Sequence, residues 1–172
     1  MGTSGSGKTT LARAIADAID APHVELDALF HGPNWTPAEP EVFRGRVLAA
    51  TAGERWVSDG NYSTHLADVF WPRAEMVVWL DYPFRVVFPR LLGRTLRRAW
   101  KREVLWNGNT ESLREHFFTK QSLLLWAFNT HWRHRREYPA RFARYPHIAV
   151  VRLERPRDAE RLLAQLRALA SP

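Results

Sequence analysis

The sequence predicts an α/β fold: a parallel sheet covered by helices on both faces. Three observations carry this. The chain opens with Gly2-Thr3-Ser4-Gly5-Ser6-Gly7-Lys8-Thr9, which fits the phosphate-binding loop G-x-x-x-x-G-K-[ST] at every fixed position. A helical pattern follows the loop at once, as the motif requires. Downstream, short apolar runs alternate with helical patterns, the order that places parallel strands between helices.

Each position of the loop has a chemical reason. Glycine lets successive backbone N–H groups turn inward around phosphate oxygens without a Cβ in the way. Lys8 brings a point charge to the β- and γ-phosphates, and Thr9 offers a hydroxyl to Mg²⁺. The following helix aims its positive end at the same anion. Gly2, Ser4, Gly5, Ser6, Gly7, Lys8, Thr9 and Thr10 are therefore the candidate nucleotide-binding residues. Only Met1 precedes Gly2, so the strand that delivers such a loop is missing from the sequence. The expectation is that Met1 ends that strand, that the start lies upstream, and that the sheet has a gap at its centre. Met1–Ser6 also fits an N-myristoylation signal, but an acylated Gly2 would compete with phosphate, and the match is taken as coincidence.

Lys8 to about Ile19 reads as a helix with Leu11, Ala12, Ile15, Ala16 and Ile19 on one face, ended by Asp20-Ala21-Pro22. His23–Asp27 reads as a strand with Glu25 and Asp27 on one side. Residues 28–40 read as a loop, and a helix is expected from Pro40 to about Ala52. Arg55–Asp59 is the next strand, turned by Gly60-Asn61, with a short helix expected over 63–70. Glu75–Asp81 is a continuous apolar run ending in a carboxylate, a buried strand. A helix is expected over 84–100, started or kinked by Pro89. Trp106-Asn107-Gly108-Asn109 is a turn, and Thr110 opens a long helix to about Glu137, ended by Pro139. Ile148–Leu153 is the last strand. Arg157–Ala170 is the last helix, with Leu162, Leu163, Leu166 and Leu169 as its buried face.

The 172 residues are read as one domain, 1–172. No run approaches the ~18 apolar residues of a membrane span, and no signal peptide is legible. The absence of cysteine excludes disulfides and thiolate metal sites and fits a cytoplasmic protein. The net charge of +7 is local: residues 85–144 hold fourteen Lys/Arg against four Asp/Glu. Such a segment implies an anionic partner, whether nucleotide phosphates, a phosphorylated substrate or nucleic acid.

Asp27, Asp59 and Asp81 are all read at carboxyl ends of strands, where ligands bind in such sheets. Asp59, turned by Gly60, is assigned to Mg²⁺, usually through water. Asp27 is assigned to binding the acceptor and taking its proton. Asp81, before Tyr82-Pro83, reads better as a turn residue. Arg90, Arg94, Arg97 and Lys101 fall on one helical face, and Arg133, Arg135 and Arg136 form a second group. Arginines closing over phosphates stabilise transition-state charge, although for any single one a solvated helix face is the plainer reading. Trp100, Trp106, Trp126 and Trp132 are read as packing residues rather than a base-stacking platform.

The segments GTSGSGKTTLARAIA, ELDALFHGPNW, WVSDGNYS, VVWLDYP with LLGRTLRR, RHRREY and VVRLERPRDAERLL together resemble the adenylate-kinase-like branch of P-loop kinases, nearest to the bacterial topology modulation protein group. The resemblance spans nearly the whole chain, and only the P-loop is highly specific. It implies a three-layer fold of the nucleoside-monophosphate-kinase type, sheet order 2-3-1-4-5 with strand 1 missing, and a basic helical lid at about 94–137. Asp59-Gly60 is similar to the Asp-Gly of adenylate kinases, which supports the metal role for Asp59. The arginine of that motif is absent, which argues against ordinary AMP recognition. Gly93-Arg94 is similar to their lid hinge and points to Arg94. Glu25-Leu26-Asp27 is similar to the Asp-x-Asp of shikimate kinases and supports Asp27. The loop after the last strand lines the adenine site in such kinases, which points to Arg157.

The resulting expectation is a kinase that moves the γ-phosphoryl group of ATP to a small acceptor with Mg²⁺. Lys8, Asp27, Arg94 and Arg133 or Arg136 would be catalytic, and Thr9 with Asp59 would hold the metal. The alternative is a P-loop ATPase or nucleotide switch whose basic, Trp-rich insertion binds nucleic acid; a third reading is nucleotide binding with little turnover. No Asn/Thr-Lys-x-Asp guanine signature is present, which does not decide ATP against GTP. No membrane partner is expected, and neither acceptor nor oligomeric state is legible.

Overall fold

The computed structural model describes residues 1–62, 66–101, 103–109 and 123–170, with side chains from 127 in the last of these stretches. Its elements are α1 (Lys8–Ala18), β1 (His23–Glu25), α2 (Leu26–Phe30), α3 (Pro40–Ala50), β2 (Val57–Asp59), α4 (Ala67–Phe70), β3 (Met76–Leu80), α5 (Phe84–Trp100), α6 (Leu123–Phe142), β4 (Ala149–Leu153) and α7 (Pro156–Ala170). Single 3₁₀ turns lie at Pro33–Trp35 and Trp106–Gly108. The expected helix start at Thr110 and its run to 122 lie outside the described residues, as do 63–65.

The chain is mixed α/β, with two two-stranded parallel sheets. β1 pairs with β2, Val24 opposite Ser58, and β3 pairs with β4, Val78 opposite Val151. Met1 and Gly2 lie along the other edge of β3. The Met1 amine donates to the Val78 carbonyl at 2.7 Å, the Leu80 N–H donates to the Met1 carbonyl at 2.9 Å, and Gly2 bridges Leu80 in parallel. Among the described residues no ladder joins β2 to β3. A groove of about 410 Å³, lined by Met1, Ile15, Val57, Asp59, Met76 and Val78, separates the sheets.

Three apolar clusters hold these pieces. Val24, Leu26, Phe43, Val47, Leu66 and Val69 pack α3 and α4 against the first sheet. Trp71, Trp79, Tyr138, Phe142 and Ile148 pack α6 against the second. Leu11, Leu80, Tyr82, Val87 and Leu153 join α1, β3 and α5. Several sequence boundaries move. Helix α6 runs through Pro139 to Phe142 instead of ending there, since proline removes one N–H without halting the burial of Tyr138 and Phe142. Pro89 likewise sits inside α5. The strand expected over 23–27 stops at Glu25, and Asp27 falls in the first turn of α2, where a carboxylate is favoured. On α7, Leu162 and Leu163 pack on the third cluster, but Leu169 is 84% exposed because the helix outruns the body it covers.

Candidate functional site

The glycine-rich loop closes on itself and opens into α1. The Ser6 N–H donates to the Thr3 carbonyl at 3.1 Å, and Gly7, left-handed at φ 94°, precedes the helix, whose Leu11 N–H donates to its carbonyl at 3.0 Å. Gly5, at φ 85°, lies directly on α5: a Cβ there would stand 2.8 Å from Leu91 Cβ and 2.9 Å from the Val87 carbonyl oxygen. Lys8 folds over the loop and donates to the Thr3 carbonyl at 3.2 Å. Burial lowers the Lys8 ammonium to about 8, while the Asp27 and Asp59 carboxylates oppose the shift, so it stays charged at neutral pH.

Helix α6 braces the loop from behind. Thr3 Oγ1 lies 3.3 Å from His131 Nδ1, and Asn61 donates to the Gly2 carbonyl at 2.9 Å while accepting from the Tyr138 hydroxyl at 3.3 Å. His134 stacks on Tyr138 with ring centroids 4.7 Å apart, and burial lowers its imidazole to about 4. Asp81 is 2% exposed; Arg135 grips its carboxylate and Arg152 Nε donates to it at 2.9 Å. These contacts tie the end of β3 to α6 and β4.

In front of the loop lies a cleft of about 1270 Å³. Ser4 through Thr10 line it, together with Ala14, Pro156, Ala159 and Leu163 from α1 and α7. Arg90, Arg94 and Arg98 line it from α5, spaced one helical turn apart. Asp27, His31, Trp35, Tyr62 and Trp106 complete it. The Tyr62 hydroxyl donates to Asp27 Oδ1 at 2.7 Å and lies 3.4 Å from His31 Nε2. Burial and the adjacent Asp27 charge push the Tyr62 phenol up, so it remains a hydrogen-bond donor.

The structure thus brings Ser4, Gly5, Ser6, Gly7, Lys8, Thr9, Thr10, Asp27 and Arg94 to one cleft. It does not bring the other candidates there. Gly2 is a sheet residue against Leu80. Asp59 lies behind the loop facing the groove between the sheets, 3.5 Å from His23 Nε2. Arg157 is exposed outside the lining, whose α7 residues are Pro156, Ala159, Glu160 and Leu163. Arg133 and Arg136 are exposed on α6, Arg133 beside Glu137 at 4.0 Å; the turned-in arginine is Arg135, one helical turn from buried His131. On α5 the cleft-facing stripe is Arg90, Arg94 and Arg98 rather than Arg90, Arg94, Arg97 and Lys101. Of the tryptophans read as packing residues, Trp100 is 88% exposed and Trp106 lines the cleft.

Sequence reasoning missed Tyr62, His31, Trp35 and Trp106. Tyr62 carries a legible signal, since it follows Asp59-Gly60-Asn61 and shares a cleft with the P-loop once that turn folds back. Trp106 carries none. Among the described residues no group of three His, Cys, Asp or Glu gathers where a metal could sit, and no helix is long and apolar enough to cross a membrane. The chain matches no known protein-family model and no curated protein sequence.

Proposed function

We propose that the chain is an ATP-binding, Mg²⁺-dependent phosphotransferase that moves the γ-phosphoryl group to a small acceptor. The observation that carries this is one cleft holding both the P-loop with Lys8 and Arg94 and, beside them, the carboxylate of Asp27 oriented by Tyr62. The apolar lining from Ala14, Pro156, Ala159 and Leu163 suits a nucleobase face. The compartment around Asp27 suits the acceptor.

In this reading the N–H groups of residues 4–9 and the Lys8 ammonium hold the β- and γ-phosphates, and Arg94 neutralises charge spread over the transferring group. Asp27 orients the acceptor hydroxyl and takes its proton, with Tyr62 fixing the carboxylate rotamer. Mg²⁺, when bound with the nucleotide, supplies charge neutralisation between the phosphates. A hydroxyl and one carboxylate are a sufficient protein contribution for this ion, which takes most of its ligands from phosphate and water. Thr9 would hold it from the cleft, and Asp59, which lies behind the loop, would reach it only through water. The two parallel pairs are read as parts of one sheet in the order 2-3-1-4-5, with Met1-Gly2 at its middle. The Gly2–Leu80 bridge and the Asn61–Gly2 hydrogen bond support this.

The test is transfer from labelled ATP to a panel of small acceptors, with Asp27→Asn beside the wild type. Loss of ~10²–10⁴-fold in transfer rate is expected, with ATP affinity kept within about threefold (~0.7 kcal/mol). Undiminished transfer would refute the role of Asp27, and loss of ATP binding would move Asp27 to the metal. The exposed Trp100 keeps a nucleic-acid-responsive ATPase as the second reading. A rise in ATP hydrolysis on adding single-stranded DNA or RNA, lost steeply with salt, would favour it.

A further inference from the structure

The compartment around Asp27 is walled by rings. Trp35 meets His31 edge to face, centroids 5.2 Å apart at 80°, and meets Trp106 at 6.2 Å and 80°. His31 and Trp106 lie within 22° of parallel, 6.4 Å apart. All three rings are only partly buried and all three line the cleft.

The box is built by polar contacts between segments far apart in sequence. Buried Asn109 accepts the Trp35 N–H at 2.9 Å and donates to the carbonyls of Gly32 at 2.9 Å and Trp106 at 2.8 Å. Asn107 donates to the His31 carbonyl. The turns that carry the rings are left-handed at three non-glycine residues. Asn34 and Asn107 sit near φ 55°, and Trp35 itself is at φ 56°. A bulky residue rarely adopts this conformation, and such positions concentrate at ligand clamps.

The box touches the reacting end of the cleft. His31 Nε2 is 3.4 Å from the Tyr62 hydroxyl that holds Asp27. A molecule that sets a hydroxyl on Asp27 therefore has His31 beside it and Trp35 and Trp106 in the same cleft. Burial lowers the His31 pKa, so the imidazole remains an uncharged ring at neutral pH. Aromatic walls of this kind stack planar rings or hold cations. Lys8, Arg90, Arg94 and Arg98 outnumber Glu25, Asp27 and Glu160 in the lining, and the net positive charge disfavours a cation. The group beside the acceptor's reacting oxygen is a carboxylate, which takes a proton from a hydroxyl but repels a phosphate.

We propose, resting on the phosphotransferase reading, that this box seats the acceptor, and that the acceptor is an alcohol carried on a planar heteroaromatic ring, as in a nucleoside. The hydroxyl oxygen forms the new bond to the γ-phosphorus, the bond from that phosphorus to the β,γ-bridging oxygen breaks, ADP leaves, and the hydroxyl proton passes to Asp27.

The test is calorimetric titration of adenosine, uridine, adenosine monophosphate, xylitol and choline into the full chain saturated with a non-hydrolysable ATP analogue and Mg²⁺, alongside transfer rates from ATP. The variants are Trp106→Leu and Trp106→Phe, with circular dichroism checking their folding. At least one nucleoside is expected to bind, Trp106→Leu to weaken it roughly 5- to 150-fold, the range for loss of one ring–base stack, and Trp106→Phe to restore most of the affinity. In transfer, KM should rise with kcat little changed. Nucleoside binding that needs Trp106 without any transfer would support the box while the phosphotransferase reading fell. Transfer to xylitol alone would overturn the box and leave that reading standing. Choline or adenosine monophosphate preferred over every nucleoside, no nucleoside binding at millimolar concentration, or binding indifferent to Trp106→Leu would each overturn the proposal.

Discussion

Gly5→Ala tests how the P-loop is anchored. The loop rests on α5 at Gly5, and two separate penalties meet there. The first is conformational: φ 85° is a region that Cβ disfavours, by about 1–2 kcal/mol. The second is steric. The new Cβ would stand 2.8 Å from Leu91 Cβ and 2.9 Å from the backbone oxygen of Val87. Neither is the far end of a flexible side chain, so loop and helix must part. Overpacking of this kind costs typically 1–3 kcal/mol. Together the loss is about 2–5 kcal/mol, and at about 2–4 °C per kcal/mol for a chain of this size the melting temperature falls by roughly 4–20 °C. Gly7→Ala is the internal control: its φ of 94° carries the first penalty, but nothing lies within 4 Å of the added Cβ. It should lose only about 2–8 °C, and less than Gly5→Ala. Differential scanning calorimetry on the three proteins at one concentration measures this. Equal losses for the two variants would refute the claim that the loop is seated on α5.

Other predictions follow from the same contacts. Asp81→Asn removes the buried carboxylate gripped by Arg135 and Arg152. Discounted for the partial exposure of both arginines, it should cost about 2–4 kcal/mol in urea unfolding while leaving ATP affinity within about threefold (~0.7 kcal/mol). His134 titrates near 4 folded against 6.5 unfolded, so the unfolded chain binds its proton first as pH falls. Its contribution is present above pH 6.5 and lost towards pH 4, at ~1.4 kcal/mol per unit. Urea unfolding at pH 7 and pH 4 should show that loss in the wild type and a smaller one in His134→Gln.

Much of the architecture is legible because local signals agree. The loop, α1 and the buried run of β3 each announce themselves by spacing or composition alone, and α5 falls where its pattern puts it. Asp27 misleads because His23–Asp27 alternates like a strand, whereas the first turn of α2 competes for that carboxylate. Pro139 misleads because the ring cluster of Trp79, Tyr138 and Phe142 outweighs one lost helical hydrogen bond. The glycine-rich side of the cleft is legible because one contiguous motif encodes it. The side around Asp27 is not. Its walls come from Pro33–Trp35 and Trp106–Gly108, two turns that meet through Asn109, and no spacing rule joins residues so far apart. The arginines divide by helix rotation, which Arg133, Arg135 and Arg136 reveal only once α6 is packed.

The central claim is that the loop at residues 4–9 binds the phosphates of a nucleoside triphosphate through Lys8. Calorimetric titration of Mg²⁺-ATP into the wild type and Lys8→Ala tests it most directly. The wild type should bind, and Lys8→Ala should weaken binding by about tenfold to a thousandfold, the loss of one charge-assisted contact to phosphate, with turnover abolished. Equal affinity and unchanged ATP hydrolysis in Lys8→Ala would contradict the account.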